Sequence, residues 1–275
     1  MMDIKKVYID TRFKTEDSNS DSDFFIDLPR SLNVPENTIC YINDIVIPVS
    51  WSTVDGRNNK FYMFVDSVAG TDLYKIIELP AHNYSGPDFC ADLEAAINAA
   101  FYPDPNLTFD VLYDANDNQI TFSNRLANPI HTFVYFVSDV DLISGKHWSS
   151  PLPKESLNSM SKIIRMGDRS HIMRDNTPFV ACLDLHTIRN VYLTSSSLAS
   201  YNVVSNFNND MIIRKIPVKA NFSQMLYDGG EAGYDFLDVS KRSLSRLDFK
   251  LLDSYGNVLD LRGNHWSFSL VFQTK

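Results

Sequence analysis

The chain has 275 residues, of which 44% are hydrophobic and 21% charged, the balance of a globular protein that can bury a sizeable core without disulfides or metals. Ten glycines argue against a glycine-rich phosphate loop or a fibrous repeat. A formal net charge of -9 argues against a nucleic-acid backbone or an anionic membrane as general partner.

The elements follow in chain order. Val7 to Phe13 reads as extended. Thr15 to Asp23 is almost wholly Ser, Asp, Asn and Glu; it cannot bury enough surface to fold alone and is expected to be a mobile loop or arm. Phe24 to Leu28 is a strand that Pro29 should stop. Thr38 to Trp51 is a longer strand with Ile45, Ile47 and Val49 on one face, and Pro48 marks its end or a bulge. Turn residues Asp55-Gly56 and Asn58-Asn59 lead to strands at Phe61–Val65 and Tyr74–Leu79.

One segment is helical. Ser85 is the N-cap, Asp88 follows three residues later, and Pro87 sits in the first turn, where its missing N–H costs little. Phe89, Leu93, Ala96, Ile97, Ala100 and Phe101 share one helical face, and Pro103 and Pro105 end the run. Phe109–Tyr113 and Gln119–Ser123 form a hairpin around the turn-rich 114–118 tip, and Thr132–Val137 is a further strand. From Ser144 to Thr177 the pattern weakens into long connections. Phe179–Leu185 and Thr187–Thr194 read as paired strands, Ile212–Val218 as another, and Ser243–Asp253 as an apolar one. A tight turn, Ser254-Tyr255-Gly256-Asn257, precedes the closing strands Val258–Leu261 and Trp266–Phe272. About a dozen strands with turns every 8 to 12 residues are the pattern of a β-sandwich, barrel or jelly roll.

Motifs that carry chemistry are missing. There is no nucleophile elbow, no H-E-x-x-H and no C-x-x-C. The histidines (His82, His131, His147, His171, His186, His265) form no local metal pair, and Cys40, Cys90 and Cys182 match no ligand spacing. The sparse, odd cysteine set fits a reducing compartment and buried thiols. Asp17, Asn19, Asp21 and Asp114, Asn116, Asn118 open like calcium loops. Both then fail, with Ser22 and Gln119 where Gly is required and Leu28 and Arg125 where a bidentate Glu is required. Two basic clusters, Lys162/Arg165/Arg169/His171/Arg174 and Lys241/Arg242/Arg246/Lys250, read first as solvated faces paired with nearby carboxylates, and otherwise as protein contacts. Trp266 alternates with core residues, whereas Trp51 and Trp148 are candidate anchors. No catalytic residue, cofactor or metal site is expected. No 18 apolar residues run together, so no membrane span is expected, and the polar Met1–Lys6 start does not look like a secretory leader.

Three stretches resemble the penton proteins of Polinton-like viruses and virophages, in the double-jelly-roll virus lineage. The first is Tyr8-Ile9-Asp10-Thr11-Arg12, an acidic spacer, Phe24 to Pro29, Ile45 to Trp51 and the Asn58-Asn59 pair. The second is Glu78-Leu79-Pro80, His82 to Ser85 and the helix. The third is Arg214 to Val218, Leu251 to Leu261 and Trp266-Ser267-Phe268. The resemblance implies a mainly β protein, a single jelly-roll β-sandwich with one inserted helix-containing α+β subdomain. Its expected boundaries are an arm and first strands at 1–73, an inserted strand-helix-hairpin subdomain at 74–140, and the remaining strands at 141–275. It further implies a capsid protein made in the host cytoplasm or nucleus and located at the virion vertex. The partners would be itself as a homopentamer, the major capsid protein, and a host receptor or vertex fibre, with no specific nucleic acid. The rival reading is a carbohydrate- or receptor-binding β-sandwich module, such as a viral attachment protein. An unrecognised jelly-roll enzyme is the third.

Overall fold

Alternating apolar and polar side chains dominate the chain, and a computed structural model shows them as strands. It describes residues 4–66, 72–103, 107–124, 133–173, 177–199, 211–229 and 236–274. Of the positions named above, Met1, Pro105, Arg125, His131, Thr132 and Arg174 lie outside the described residues. The chain opens with β1 (Ile4–Asp10), β2 (Asp23–Asn33) and β3 (Thr38–Pro48). It continues through β4 (Lys60–Asp66), β5 (Leu73–Glu78), α1 (Gly86–Phe101), β6 (Phe109–Asp114), β7 (Gln119–Asn124), β8 (Phe133–Phe136), α2 (Asp139–Ser144), β9 (His171–Met173) and β10 (Phe179–Cys182). It finishes with β11 (Asn190–Thr194), β12 (Ile212–Pro217), β13 (Met225–Gly229), β14 (Leu237–Asp238), β15 (Ser243–Leu252) and β16 (Ser267–Thr274).

These elements form two units, 1–51 with 188–275, and 52–187. In the first unit, β1-β16-β3-β13 form one antiparallel sheet, with β14 also on β3, and β12-β11-β15-β2 form the other. Leaving aside the two-residue β14, the eight strands counted along the chain give sheet orders 1-8-3-6 and 5-4-7-2. That order is a jelly roll, two interleaved Greek keys. The inner faces meet through Phe24, Phe249, Trp266 and Phe268: Phe249 lies edge-on to Phe268 at 4.8 Å, and Trp266 edge-on to Phe24 at 5.6 Å. A register shift against β16 loops out Asn43, so Cys40 and Ile42 before it and Ile45 and Ile47 after it all face inward.

Pro29 does not stop β2. The strand runs on to Asn33, and its pairing with β15 slips between Leu244 and Arg246, so a bulge absorbs the proline's missing donor. Thr15 to Asp23 is not a loose arm either. The Thr15 N–H donates to the Phe25 carbonyl at 2.9 Å, Lys14 pairs with Asp21 at 2.5 Å, and the Trp266 indole N–H donates to the Asp21 carbonyl at 2.6 Å. Composition alone misjudged this stretch because its partners, Lys14, Arg246 and Trp266, lie outside it.

In the second unit, β5-β4-β8-β9 and β10-β7-β6 share one core of Phe61, Phe122, Phe136 and Phe179 with the apolar face of α1. The helix is capped as expected: the Asp88 N–H donates to Ser85 Oγ at 3.3 Å. Asn98 clamps the Phe109 backbone at both its N–H (2.8 Å) and its carbonyl (2.9 Å), which fixes α1 to β6. A Cβ on Gly86 would stand 2.4 Å from the Tyr113 ring, which explains the glycine there. The β4 run Phe61-Tyr62-Met63-Phe64-Val65 is buried on both faces. Its far side packs on Leu142 of α2, Trp148, Leu152 and Leu157. The segment read as long connections thus covers this sheet as far as Leu157, following α2, which is capped by Ser138 and closed by Gly145. Beyond that it supplies Met160, Ile163 and Ile164 to the main core and β9 to the sheet itself.

Two expectations are corrected here. The strands read as partners at 179–185 and 187–194 do not pair. β10 joins β7, whereas β11 joins β12 and β15 in the other unit. The second unit also spans 52–187 rather than 74–140, because β4, β9 and β10 pair inside it.

Candidate assembly surfaces

The outer face of β1-β16-β3-β13 is built by the strand period. With Ile9, Leu226, Phe268, Leu270 and Phe272 pointing in, the alternate residues point out. Register places them in rows: Lys6, Val271 and Tyr41; Tyr8, Ser269, Asp44 and Gly229; Asp10, Ser267, Val46 and Tyr227. Large apolar side chains stand exposed at both edges. Tyr8 (77% exposed), Ile4 and Phe13 lie at or beside β1, and Tyr227 (68%), Met225 and Phe236 at or beside β13 and β14. Exposed apolar groups gathered at sheet edges are candidate contact surfaces. Ser269, between Tyr8 and Asp44, is buried, and its hydroxyl has no hydrogen-bond partner among the described residues.

The second basic cluster is spent on neighbours within the unit. Lys241 pairs with Glu36 at 2.7 Å, Lys250 with Asp23 at 3.2 Å, and Arg242 donates to the Ser197 and Ala199 carbonyls. Arg246 pairs with Asp17 at 2.5 Å and lies over the Phe25 ring at 4.4 Å. In the first cluster Arg165 pairs with Asp184, while His171 hydrogen-bonds the Met166 carbonyl at 2.8 Å and stacks on Phe179 at 4.4 Å. The second cluster takes the paired form that its sequence context favoured, and in the first Arg165 does.

The calcium-like loops are held by other bonds. Asp17 and Asp21 are ion-paired, and Asn19 donates to Asp23 at 2.9 Å. At the hairpin tip the Asn116 N–H donates to Asp114, and Asn118 donates to the Leu183 carbonyl at 2.7 Å. No group of three His, Cys, Asp or Glu that could hold a metal occurs among the described residues. No helix among them is long and apolar enough to cross a membrane. Trp51 and Trp266 are core residues, and Trp148 packs edge-on against Tyr62 and Tyr74, each at 5.3 Å.

Burial pushes the Cys40 and Cys90 thiols up to about 12, with Glu94 adding to the effect at Cys90. Cys182 is exposed, against the expectation of buried thiols, because it ends β10 pointing outward. A thiol reagent applied to the native protein should therefore label one cysteine per chain quickly, and all three only after unfolding. Fast labelling of C182S would contradict this.

Asp248 locks a loop. Its carboxylate accepts the Ser196 N–H at 2.8 Å and the Ser197 N–H at 2.7 Å. Burial pushes its pKa up, but these bonds to Ser196 and Ser197 outweigh burial and hold it below the ordinary value. A carboxylate depressed on folding stabilises above its unfolded pKa, about 3.9, and that stability is lost as pH falls through the lower folded value. D248N should cost on the order of 1–3 kcal/mol near neutrality. It should also flatten the acid side of the stability profile below about pH 4, as read by urea unfolding at several pH values.

A groove of about 340 Å³ lies between the 14–22 loop and the 258–263 loop, lined by Lys14, Ser20, Asp21, Ser22, Leu259 and Asp260 among others. In the second unit an aromatic row crosses three strands: Tyr74 stacks on Phe64 at 4.8 Å, and Phe64 on Tyr135 at 5.2 Å. His147 stacks over Tyr135 at 4.3 Å.

No family model and no curated protein matches this sequence. Among solved structures, the chain is similar to the mavirus penton protein over 100% of both chains, with a TM-score of 0.58 at 8% identity. It is also similar to a chain of the Sputnik virophage structure, over 100% of this chain and 98% of that one, with a TM-score of 0.51 at 13% identity. The chain is thus a mainly β protein with the fold of the mavirus penton protein along its whole length.

Proposed function

We propose that this chain is a minor capsid (penton) protein that forms pentamers at the fivefold vertices of an icosahedral virion and acts by assembly, not by catalysis. The observation that carries the reading is the jelly-roll strand order interrupted between its third and fourth strands by a second β unit, in a chain whose full length follows the mavirus penton fold. The exposed apolar edges of the jelly-roll unit supply contact area for like copies. The virion vertex is the location and the major capsid protein the second partner; a receptor or fibre is a further candidate for the inserted unit.

Light scattering behind a sizing column tests this. Five copies of the 31.3 kDa chain weigh about 157 kDa, and a peak near that mass is expected. A monomer that also fails to co-sediment with capsid shells overturns the reading.

A receptor- or carbohydrate-binding role has one observation in its favour. Half-buried Tyr74 and Trp148 pack together beside exposed Asp72, and aromatic faces next to carboxylates suit sugar rings. Glycan-array binding by the isolated protein, lost in W148A, supports that role; no binding removes it.

A further inference from the structure

We infer that the ring contact joins the two opposite edges of the β1-β16-β3-β13 sheet, the β1 edge of one copy meeting the β13/β14 edge of the next. The inference rests on the penton reading and names its contact surface.

Three features of the unit carry it. The sheet ends in strands with no further strand beyond them among the described residues, β1 on one side and β13 on the other. Such edges present open rows of backbone donors and acceptors. Each edge also carries exposed apolar side chains of a different set. Ile4 and Tyr8 lie on the first, with Phe13 in the turn that follows β1, and Met225 and Tyr227 on the second, with Phe236 just before β14.

Charge distinguishes the two edges. Exposed, outward-facing Lys6 lies on β1. Asp44 of β3, the strand next in from the other edge, faces outward opposite Gly229, and exposed Asp238 lies on β14 opposite Ile39. Asp10, the carboxylate on β1, is ion-paired with Arg12, so the first edge is basic and the second acidic, which favours pairing of unlike edges and disfavours pairing of like ones. Three inter-strand steps of about 4.8 Å separate the edges by roughly 14 Å. Two different patches on opposite sides of one unit make a head-to-tail contact, which closes into a ring when the rotation per copy divides a full turn. The partner that fits is therefore a second copy of this chain, turned about an axis rather than related by a twofold.

Cross-linking tests the contact, on full-length chains carrying C182S so that the native surface thiol does not react. Tyr8 and Tyr227 are largely exposed, so Y8C and Y227C leave the core intact. The material is that in which the ring itself is found by mass, in solution or on shells. With a short bismaleimide, co-expressed Y8C and Y227C chains should cross-link to each other, neither should cross-link alone, and the Y8C/Y227C double variant should give a ladder ending at five copies. A wild-type pentamer without cross-linking between the two variants overturns this contact and leaves the penton reading standing. Cross-links with Y8C alone overturn the head-to-tail arrangement. A chain that is monomeric in solution and absent from shells overturns both.

Discussion

Phe249→Ala is expected to lower the stability of the jelly-roll unit by about 3–5 kcal/mol, the usual cost of emptying a fully buried phenylalanine site. Phe249 is fully buried at the centre of β15, 5.6 Å from the Phe24 ring and 4.8 Å from Phe268. It joins strands of both sheets, so neighbouring side chains cannot close the space without moving a strand. F249L keeps most of the volume and should cost well under half as much. Urea unfolding followed by tryptophan fluorescence reads the effect, because Trp266 stacks on Phe268 at 5.0 Å. An F249A chain within about 1 kcal/mol of wild type would show that the core relaxes, against the cavity argument. Loss of this unit should also abolish any ring, since the inferred contact edges belong to its sheet.

Phe122→Ala should have an effect of similar size on the other unit. Phe122 is fully buried on β7 and touches three rings: Phe136 at 4.8 Å, Phe179 at 5.5 Å and Phe61 at 5.6 Å. These rings come from β8, β10 and β4, so the residue joins both sheets of the 52–187 unit. A loss of about 3–5 kcal/mol is expected. Each unit has its own core. F122A should therefore lower the transition of the inserted unit first, and F249A that of the jelly roll, in calorimetric scans of the two variants. Equal shifts of a single transition in both would show that the two cores unfold as one.

Local chemistry was legible where it is local. The Ser85 cap, Pro87 and the face from Phe89 to Phe101 identify α1 because a helix repeats every 3.6 residues and ends where its orphan N–H and C=O groups find partners. The β6–β7 hairpin was legible for the same reason: its tip, Asp114 to Asn118, bonds to itself and to Leu183 nearby in space. The inward residues of β3 and β16 were visible as period-2 alternation. What α2 does was less so: Ser138, Asp141 and Gly145 are a cap pair and a stop, but six residues of helix make too short a period to stand out.

Other features depended on residues far apart in the chain. The polar stretch Thr15 to Asp23 looked unable to fold by composition, yet it is held by Arg246 and Trp266, more than two hundred residues away. Pro29 looked like a strand end, but the slip opposite Arg246 on β15 turns it into a bulge. Residues 179–194 looked like one pair of strands, although β10 and β11 belong to different sheets of different units. The insertion's limits followed the same logic, since only β4 pairing with β8, and β10 with β7, carries it out to 52 and 187.

By itself, then, the sequence determined that the chain is mainly β with one amphipathic helix, that it lacks the local motifs of catalysis, and which residues alternate toward a core. These properties are encoded in spacings of a few residues. Only the tertiary structure decided which strands are neighbours, which charges are already paired, and which strands end a sheet among the described residues. Sheet pairing joins segments through backbone groups that every residue shares, so its choice is made by the packing of the whole unit and not by any stretch of the chain.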